Sequence, residues 1–423
     1  MNYNFTRMDK SLIPRATFLN FLILSICVVY LISEAYYLIK LLPANRSDFT
    51  VYHQASVKVL SGQIPFRDFR LEYPFFALIP LLVPGIVNLL FNSSFESYCV
   101  LFALQNVFYL GATALIIPKI KLPFQNPDET ILWFTWFCLF SLPILLFRYD
   151  SFPVFLTMCM LWAMSTRPFL TGVVLALAIG AKLYPLIFAP VLFFYYLLNG
   201  EVKKLRSFVI GGLAAVLVTL AIVLPITGLS FFDFLKYHGQ RGIQLESVAS
   251  GLILLMNQLD LVEVTLTNNF GSYNIETPAS DAILRGISFV TPVVFLLLAS
   301  FIVWVFRTEK RALGNISTNS AVLAATLLLL AFLLLNKVMS PQYMIWLFPF
   351  VPFLSKATRI KFVVVLMLTI TIYPGQYDQL TRFEPVVVYM LNIRNLLLLW
   401  MFTDVFMEFL GKTNFLRQSR VRV

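Results

Sequence analysis

PFFALIPLLVPGIVNLLFN, residues 74–92, is apolar enough to enter a bilayer and poorly built to cross one. Pro74, Pro80 and Pro84 each lack a backbone donor, and a proline inside a helix removes a ladder bond and kinks it. The run continues into NSSFE, with no lysine or arginine to anchor its end at a cytoplasmic surface. Its reading decides the fold, because every span reverses the side of all later loops. Read as a helix lying in the outer interface or dipping partly in, it leaves 19 of the 32 basic residues on cytoplasmic segments and 13 outside. Read as a full span, it inverts that bias. Cytoplasmic loops carry the excess of Lys and Arg, so 74–92 is assigned to the interface.

The remaining apolar runs then alternate across the membrane. The chain is 59% hydrophobic and 13% charged, with a mean hydropathy of +0.82, whereas soluble domains are about a quarter charged. A run over 16–40 follows Arg7, Lys10 and Arg15 and reads as an uncleaved anchor with its N-terminus inside. Spans follow at 96–118, 130–147, 151–166, 168–182, 184–199, 207–226, 281–306, 320–336, 341–355, 361–374 and 385–410. Each is near the roughly 20 residues a crossing needs. The expectation is a single integral membrane domain over 1–423, all-α and polytopic, with about twelve spans and both termini cytoplasmic. The net charge of +11 is then the positive-inside signal, and no nucleic-acid partner is expected. Cys27, Cys99, Cys138 and Cys159 lie within apolar runs, with no CxxC pair, and read as core residues.

The unusual residues fall on the outer side, whose long segments are 41–95, 227–280 and 375–384. In the first, Phe49, Tyr52, Ala55 and Val59 recur at helical spacing until Gly62, which predicts an amphipathic helix on the outer leaflet. Asp48 at its start has two readings, an N-cap carboxylate or a functional acid. In the second, DFLKYHGQRGIQLES (233–247) gathers His238, Arg241, Gln244 and Glu246. Elsewhere Arg148-Tyr149-Asp150, Lys182-Leu183-Tyr184-Pro185 and Asn336 to Tyr343, which includes Lys337 and Gln342, each set a cation at a span boundary. One such cation is accounted for by snorkelling. Several, placed against the positive-inside bias, point to an anion site, and charge at membrane depth is functional by default. The anion at hand there is a lipid phosphate, which arginine and lysine hold. The chain carries no Gly-rich phosphate loop, no GxSxG and no HExxH, and only two histidines, His53 and His238. A metal would have to draw on Asp48, Asp68 and Glu72, and a metal-independent, cofactor-free protein is expected.

The first outer loop, Asp48-x3-Tyr52-x2-Ala55-x6-Gly62 leading to Tyr73-Pro74, resembles glycosyltransferase family 87. So do GVVLALAIGAKLYPLIFAP (172–190), YHGQRGIQLES (237–247) and SPQYMIWLFP (340–349), in the same order over residues 48–350. That family lies in the GT-C superfamily of polytopic membrane enzymes and is similar to the mycobacterial polyprenol-phosphate-mannose-dependent mannosyltransferases. The resemblance implies a GT-C fold with interfacial helices in the first outer loop, and inverting transfer of a sugar, mannose by family, from a polyprenyl-phosphate donor. The acceptor would be a lipid or glycan hydroxyl on the extracytoplasmic face of the cell membrane. It implies Asp48 as general base and His238 as its helper. Phe49 stands where some GT-C families carry a second acid, which weakens a metal reading. Arg148, Lys182, Arg241 and Lys337 are the candidates for the donor phosphate, and Tyr184, Gln244, Glu246, Gln342 and Tyr343 for phosphate or sugar. Tyr52, Asp68, Glu72 and Tyr73 complete the first loop. A flippase or transporter of lipid-linked sugar, and a ligase or polymerase using a diphosphate-linked glycan, are the rival readings.

Overall fold

The computed structural model describes residues 43–120, 122 and 126–421, so the anchor expected at 16–40 lies outside the described residues. Helix α1 (Pro43–Leu60) buries the face predicted for it, with Phe49, Tyr52, Ala55 and Ser56 covered. It stops where Gly62 takes φ +91°, a left-handed conformation that glycine adopts without a Cβ penalty. The helix begins at Pro43, so Asp48 sits inside it and the N-cap reading is corrected.

After a 3-10 turn (Phe75–Ala77), α2 (Leu78–Leu90) carries the decisive stretch. Its 13 residues reach about 20 Å at 1.5 Å per residue, short of the roughly 30 Å hydrocarbon core. Leu78, Leu81 and Gly85 are buried, while Val83, Ile86, Leu89 and Leu90 are exposed. Gly85 is required by the packing on α1, since a Cβ there would lie 1.7 Å from Ser56 Oγ.

Fourteen helices of eight residues or more make up the described membrane body. After α1 and α2 come α3 (Phe95–Ile116), α4 (Pro127–Leu139), α5 (Ser151–Ala163), α6 (Pro168–Ala181), α7 (Ala189–Leu198) and α8 (Val202–Thr227). Then follow α9 (Asp233–Gln240), α10 (Val248–Gln258), α11 (Ser280–Leu313), α12 (Thr318–Leu335), α13 (Lys356–Ile370) and α14 (Pro385–Val421). Six segments among the described residues are long and apolar enough to cross a membrane: Phe95–Lys119, Val202–Lys236, Ser280–Leu313, Thr318–Leu335, Lys356–Gly375 and Pro385–Lys412. The runs expected to span at 130–147, 151–166, 168–182 and 184–199 form shorter or broken helices.

The run expected to span at 341–355 is not α-helical. It is a chain of 3-10 turns, Pro341–Leu347 and Val351–Phe353, because Pro341, Pro349 and Pro352 withhold backbone donors. Its Met344 to Phe348 and Phe350 to Leu354 are buried, as irregular backbone at membrane depth must be.

A small antiparallel sheet, unforeseen in an all-α reading, folds from the second outer segment in the order β1–β3–β2. Its strands are β1 (Ile243–Gln244), β2 (Thr265–Asn269) and β3 (Ser272–Glu276). Phe270 and Gly271 turn the hairpin with φ +52° and +64°, the pair of positive values that a two-residue hairpin turn needs.

Charged groups sort to two ends of the body. At one, Arg359 pairs with Glu129 at 2.7 Å, Lys361 pairs with Asp404, Lys310 donates to Asn199 O, and Lys412 donates to Ser320 Oγ. These contacts join loops that the sequence places on the cytoplasmic side. The segments placed outside meet one another at the opposite end.

Candidate active site

Helix α1 delivers Asp48 to the second of these ends, where its carboxylate pairs with Arg148 Nη1. Arg148 comes from the irregular stretch between α4 and α5. Asn106 of α3 pins that stretch by donating to Leu146 O at 3.2 Å and Arg148 O at 2.9 Å. The guanidinium also donates to Tyr373 Oη at 3.0 Å, from the turn after α13. Behind Asp48 lies an aromatic floor. Tyr52 and Tyr73 both meet Tyr149 edge-on, at 5.8 and 5.0 Å between ring centroids. Burial, with the charges of Asp48 and Glu72, pushes the Tyr73 hydroxyl well above its ordinary range, so it stays a neutral donor.

A second carboxylate–cation couple stands two residues along. Asp150 is buried and Lys182, at the end of α6, donates to its Oδ1 at 2.6 Å. Trp346 Nε1 donates to the same oxygen, also at 2.6 Å. The Lys182 ammonium lies 4.8 Å from the Tyr149 ring centroid and 5.3 Å from that of Trp346. Trp346 is itself stacked between Tyr184 at 4.3 Å and Tyr343 at 3.8 Å. Tyr184 is thus behind the wall, its hydroxyl held by Thr157 at 3.1 Å. Gln342, next to Tyr343 in the chain, has a buried Oε1 that finds no partner among the described residues.

The second outer segment closes the site. Arg241 donates to Ser272 Oγ of β3 at 2.7 Å, and Lys337 donates to Gly239 O at 2.8 Å. Arg241 is close enough to Lys337 to help burial hold its amine below the ordinary lysine range, and it also acts on Tyr343. Gln244 is buried in β1, where its Oε1 accepts from Met339 N at 2.7 Å. Glu246 is fully buried against Arg394 of α14 at 3.1 Å. Burial outweighs the pull of that guanidinium and pushes the Glu246 carboxyl up to about 7. Gln244 and Glu246 therefore stand behind the wall, holding the loop, not on its open surface.

Of the first-loop carboxylates, Asp68 is turned to its own loop, accepting from Ile64 N and Arg67. Glu72 acts electrostatically on Tyr73 and Tyr149. Among the described residues no three of His, Cys, Asp and Glu stand together as a ligand group. His238 is carried on α9, and its side chain lies outside the described ones.

Asp150, Trp346, Tyr373 and Arg394 join the site without having been singled out from sequence. Arg394 had a signal, a charge within an apolar run. Asp150 and Trp346 lay inside quoted stretches, and Tyr373 had none. The charge inventory separates the cations. Arg148, Lys182 and Arg394 are each neutralised by a carboxylate. Among the described residues Arg241 and Lys337 have none within ion-pair distance; each donates to a neutral oxygen.

No curated protein matches the chain. The model of glycosyltransferase family 87 matches residues 71–335, from the loop before α2 to the end of α12. Tyr73, Arg148 to Asp150, Lys182 and the 233–247 segment lie within it, while Asp48 and Lys337 flank it. A match over more than half of this helical membrane chain, taking in most of the residues that converge at this site, settles the assignment: the protein belongs to glycosyltransferase family 87.

Proposed function

We propose that the protein transfers a sugar, with inversion, from a polyprenyl-phosphate donor to a hydroxyl of a lipid or glycan acceptor at the extracytoplasmic face. The observation that carries this reading is the contrast between a carboxylate fixed by an arginine, Asp48–Arg148, and the cations Arg241 and Lys337, which act on one another electrostatically and have no carboxylate within ion-pair distance among the described residues. Two close cations repel, and an anion between them relieves that repulsion. A glycosyl phosphate places its phosphate there and keeps its lipid in the bilayer.

In the transfer, the acceptor oxygen forms a bond to the anomeric carbon while the bond to the phosphate oxygen breaks. The bonding pair leaves with the phosphate, and Asp48 takes the acceptor proton as general base. Arg241 and Lys337, with Lys182, stabilise the departing charge from fixed positions. His238 assists from α9. The rings of Tyr52, Tyr73, Tyr149, Tyr343 and Trp346 keep water from the donor. No metal takes part. By family, mannose is the proposed sugar, and the protein sits in the cell membrane with both termini cytoplasmic and twelve spans.

The test is purified protein in liposomes, offered a panel of polyprenyl-phosphate sugars with membrane lipid extract as acceptor. The expected result is a glycosylated lipid or glycan of inverted anomeric configuration. Movement of labelled donor into sealed vesicles without acceptor, and no product, would replace this reading with transport. Product formed only from diphosphate-linked donors would replace it with a ligase.

A further inference from the structure

Asp150 spends one oxygen twice. Its Oδ1 accepts from Lys182 Nζ and from Trp346 Nε1, both at 2.6 Å, while Oδ2 is buried with no partner. The residue is 1% exposed. An ionised carboxylate offers about four acceptor sites, so this one is poorly satisfied for its depth. Burying it so incompletely is costly. A side chain that merely filled space or pinned α5 would do so at lower cost as an apolar residue of similar size.

What Asp150 does accomplish is to bring a cation and an aromatic wall into one unit. Trp346 belongs to the 3-10 chain that replaces a membrane helix, and Lys182 to the end of α6. These segments are far apart in sequence, and Asp150 Oδ1 is the atom on which both side chains converge. With it in place, Lys182 is directed at the rings of Tyr149 and Trp346, beside the Arg148 and Asp48 charges that act on it. A lysine has three rotatable donors on a flexible stem. Two of them remain available after the bond to Asp150.

Resting on the transferase reading above, we propose that Asp150 is a positioning residue for the transfer: anchored by Trp346, its carboxylate directs Lys182 so that the ammonium meets the departing phosphate. It touches neither donor nor acceptor and acts through Lys182. The consequence is a split between binding and turnover. Replacing Asp150 by asparagine removes a negative charge that competes with the phosphate, so anion affinity is kept or raised. Asparagine keeps an acceptor oxygen but not the charge, so the bond that directs the ammonium is weakened and turnover falls. Losing one charge-assisted bond in the transition state corresponds to about 10- to 150-fold.

The experiment is a double-mutant cycle of Asp150→Asn and Lys182→Met in the full-length protein. Steady-state transfer is read per folded molecule, and binding of dodecyl phosphate is read by thermal shift. Asp150→Asn is expected to lower kcat at least tenfold with donor KM and dodecyl phosphate affinity unchanged or tighter. The double variant is expected to equal Lys182→Met alone in both readouts, since a residue acting through Lys182 has nothing left to act on. Unchanged kcat per folded molecule in Asp150→Asn, or effects that multiply in the double variant, would overturn the proposal. Should Asp150→Asn fail to fold with its unpaired lysine, the double variant removes that charge, and its equality with or shortfall from Lys182→Met decides. The wild-type control keeps the two readings apart. If transfer runs only from a diphosphate donor, the donor assignment fails and the cycle is read on that donor. If no donor supports transfer, the transferase reading fails, and the dodecyl phosphate arm decides whether Asp150 acts through Lys182.

Discussion

Asp48→Asn separates the two things Asp48 can do, hold Arg148 and accept a proton. The side chains of Arg148 and Asp48 are 13% and 21% exposed, so the pair is shielded without being sealed. Removing one partner of a fully buried pair costs about 3–5 kcal/mol. Here Tyr373 Oη still accepts from Arg148 and both groups reach solvent, so the loss of stability is expected nearer about 1–3 kcal/mol. Asparagine keeps the shape and an acceptor oxygen but cannot take the proton. Loss of a general base lowers turnover by roughly two to four orders of magnitude, or about 3–5 kcal/mol on the barrier. Pairing Asp48→Asn with Arg148→Gln removes the stranded charge and is expected to recover most of the melting temperature. Turnover should stay down in the double variant, because the base is still missing. Both quantities are measured on the same preparation, by thermal unfolding in detergent and by product formation on a matched donor and acceptor. Recovery of turnover together with stability in the double variant would reduce Asp48 to a partner for Arg148 and end the general-base claim.

Two further outcomes are open to direct measurement. Arg241→Ala is expected to weaken donor use about 10- to 150-fold, the worth of a charge-assisted bond, whereas Lys203→Ala, an exposed residue at the opposite end, should change it little. Arg241→Lys should recover only part, since an ammonium lacks the planar fork, and equal small effects at 203 and 241 would remove the phosphate from this loop. Glu246 is held up to about 7 from its ordinary 4.5. A raised carboxyl contributes stability that is fully present below about 4.5 and is lost as pH climbs through about 7. The melting temperature of wild type relative to Glu246→Gln should therefore drop across that window, and parallel curves would refute the shifted carboxyl.

Much of the outer architecture was legible because it rests on local rules. The α1 face follows from the spacing of Phe49, Tyr52 and Ala55, its end from Gly62, and the short helix within 74–92 from its three prolines. The pairing of charges was not legible. Asp48 and Arg148 are a hundred residues apart, and Glu246 and Arg394 farther still; nothing local says which cation is already neutralised. That is why Arg148, Lys182, Arg241 and Lys337 looked alike in sequence and separate in the structure. The helical form of the 341–355 run was misjudged for a different reason. Its hydropathy fits a span, and the prolines at 341, 349 and 352 carried the contrary signal. The hairpin at Phe270–Gly271 was missed because a phenylalanine at positive φ is uncommon.

The distribution of buried polar groups bears on the choice between transferase and transporter. A transporter built on repeats carries its polar site near the bilayer midplane, often on broken helices. Here five threonine hydroxyls within the helices are turned back on their own backbone. Thr113 donates to Tyr109 O, Thr157 to Pro153 O, Thr171 to Arg167 O, Thr326 to Val322 O and Thr369 to Val365 O. Such i−4 bonds satisfy the hydroxyl within the helix and offer nothing to a solute. The broken segment, 341–354, is filled by Met344, Ile345, Leu347, Phe348, Phe350 and Val351, all fully buried in the apolar core. The ion pairs in the described residues lie at the ends of the body, with Asp48–Arg148, Asp150–Lys182 and Glu246–Arg394 together at one of them. A solute crossing this core would have to be desolvated against hydrocarbon for most of its path, at several kcal/mol for each unpaired polar group. A lipid-linked sugar presented at one face needs no such path. In the proposed transfer its chain would stay among lipids, with its phosphate at Arg241 and Lys337 and its sugar at Asp48. The one-sided placement of charge therefore favours group transfer at a surface over passage through it.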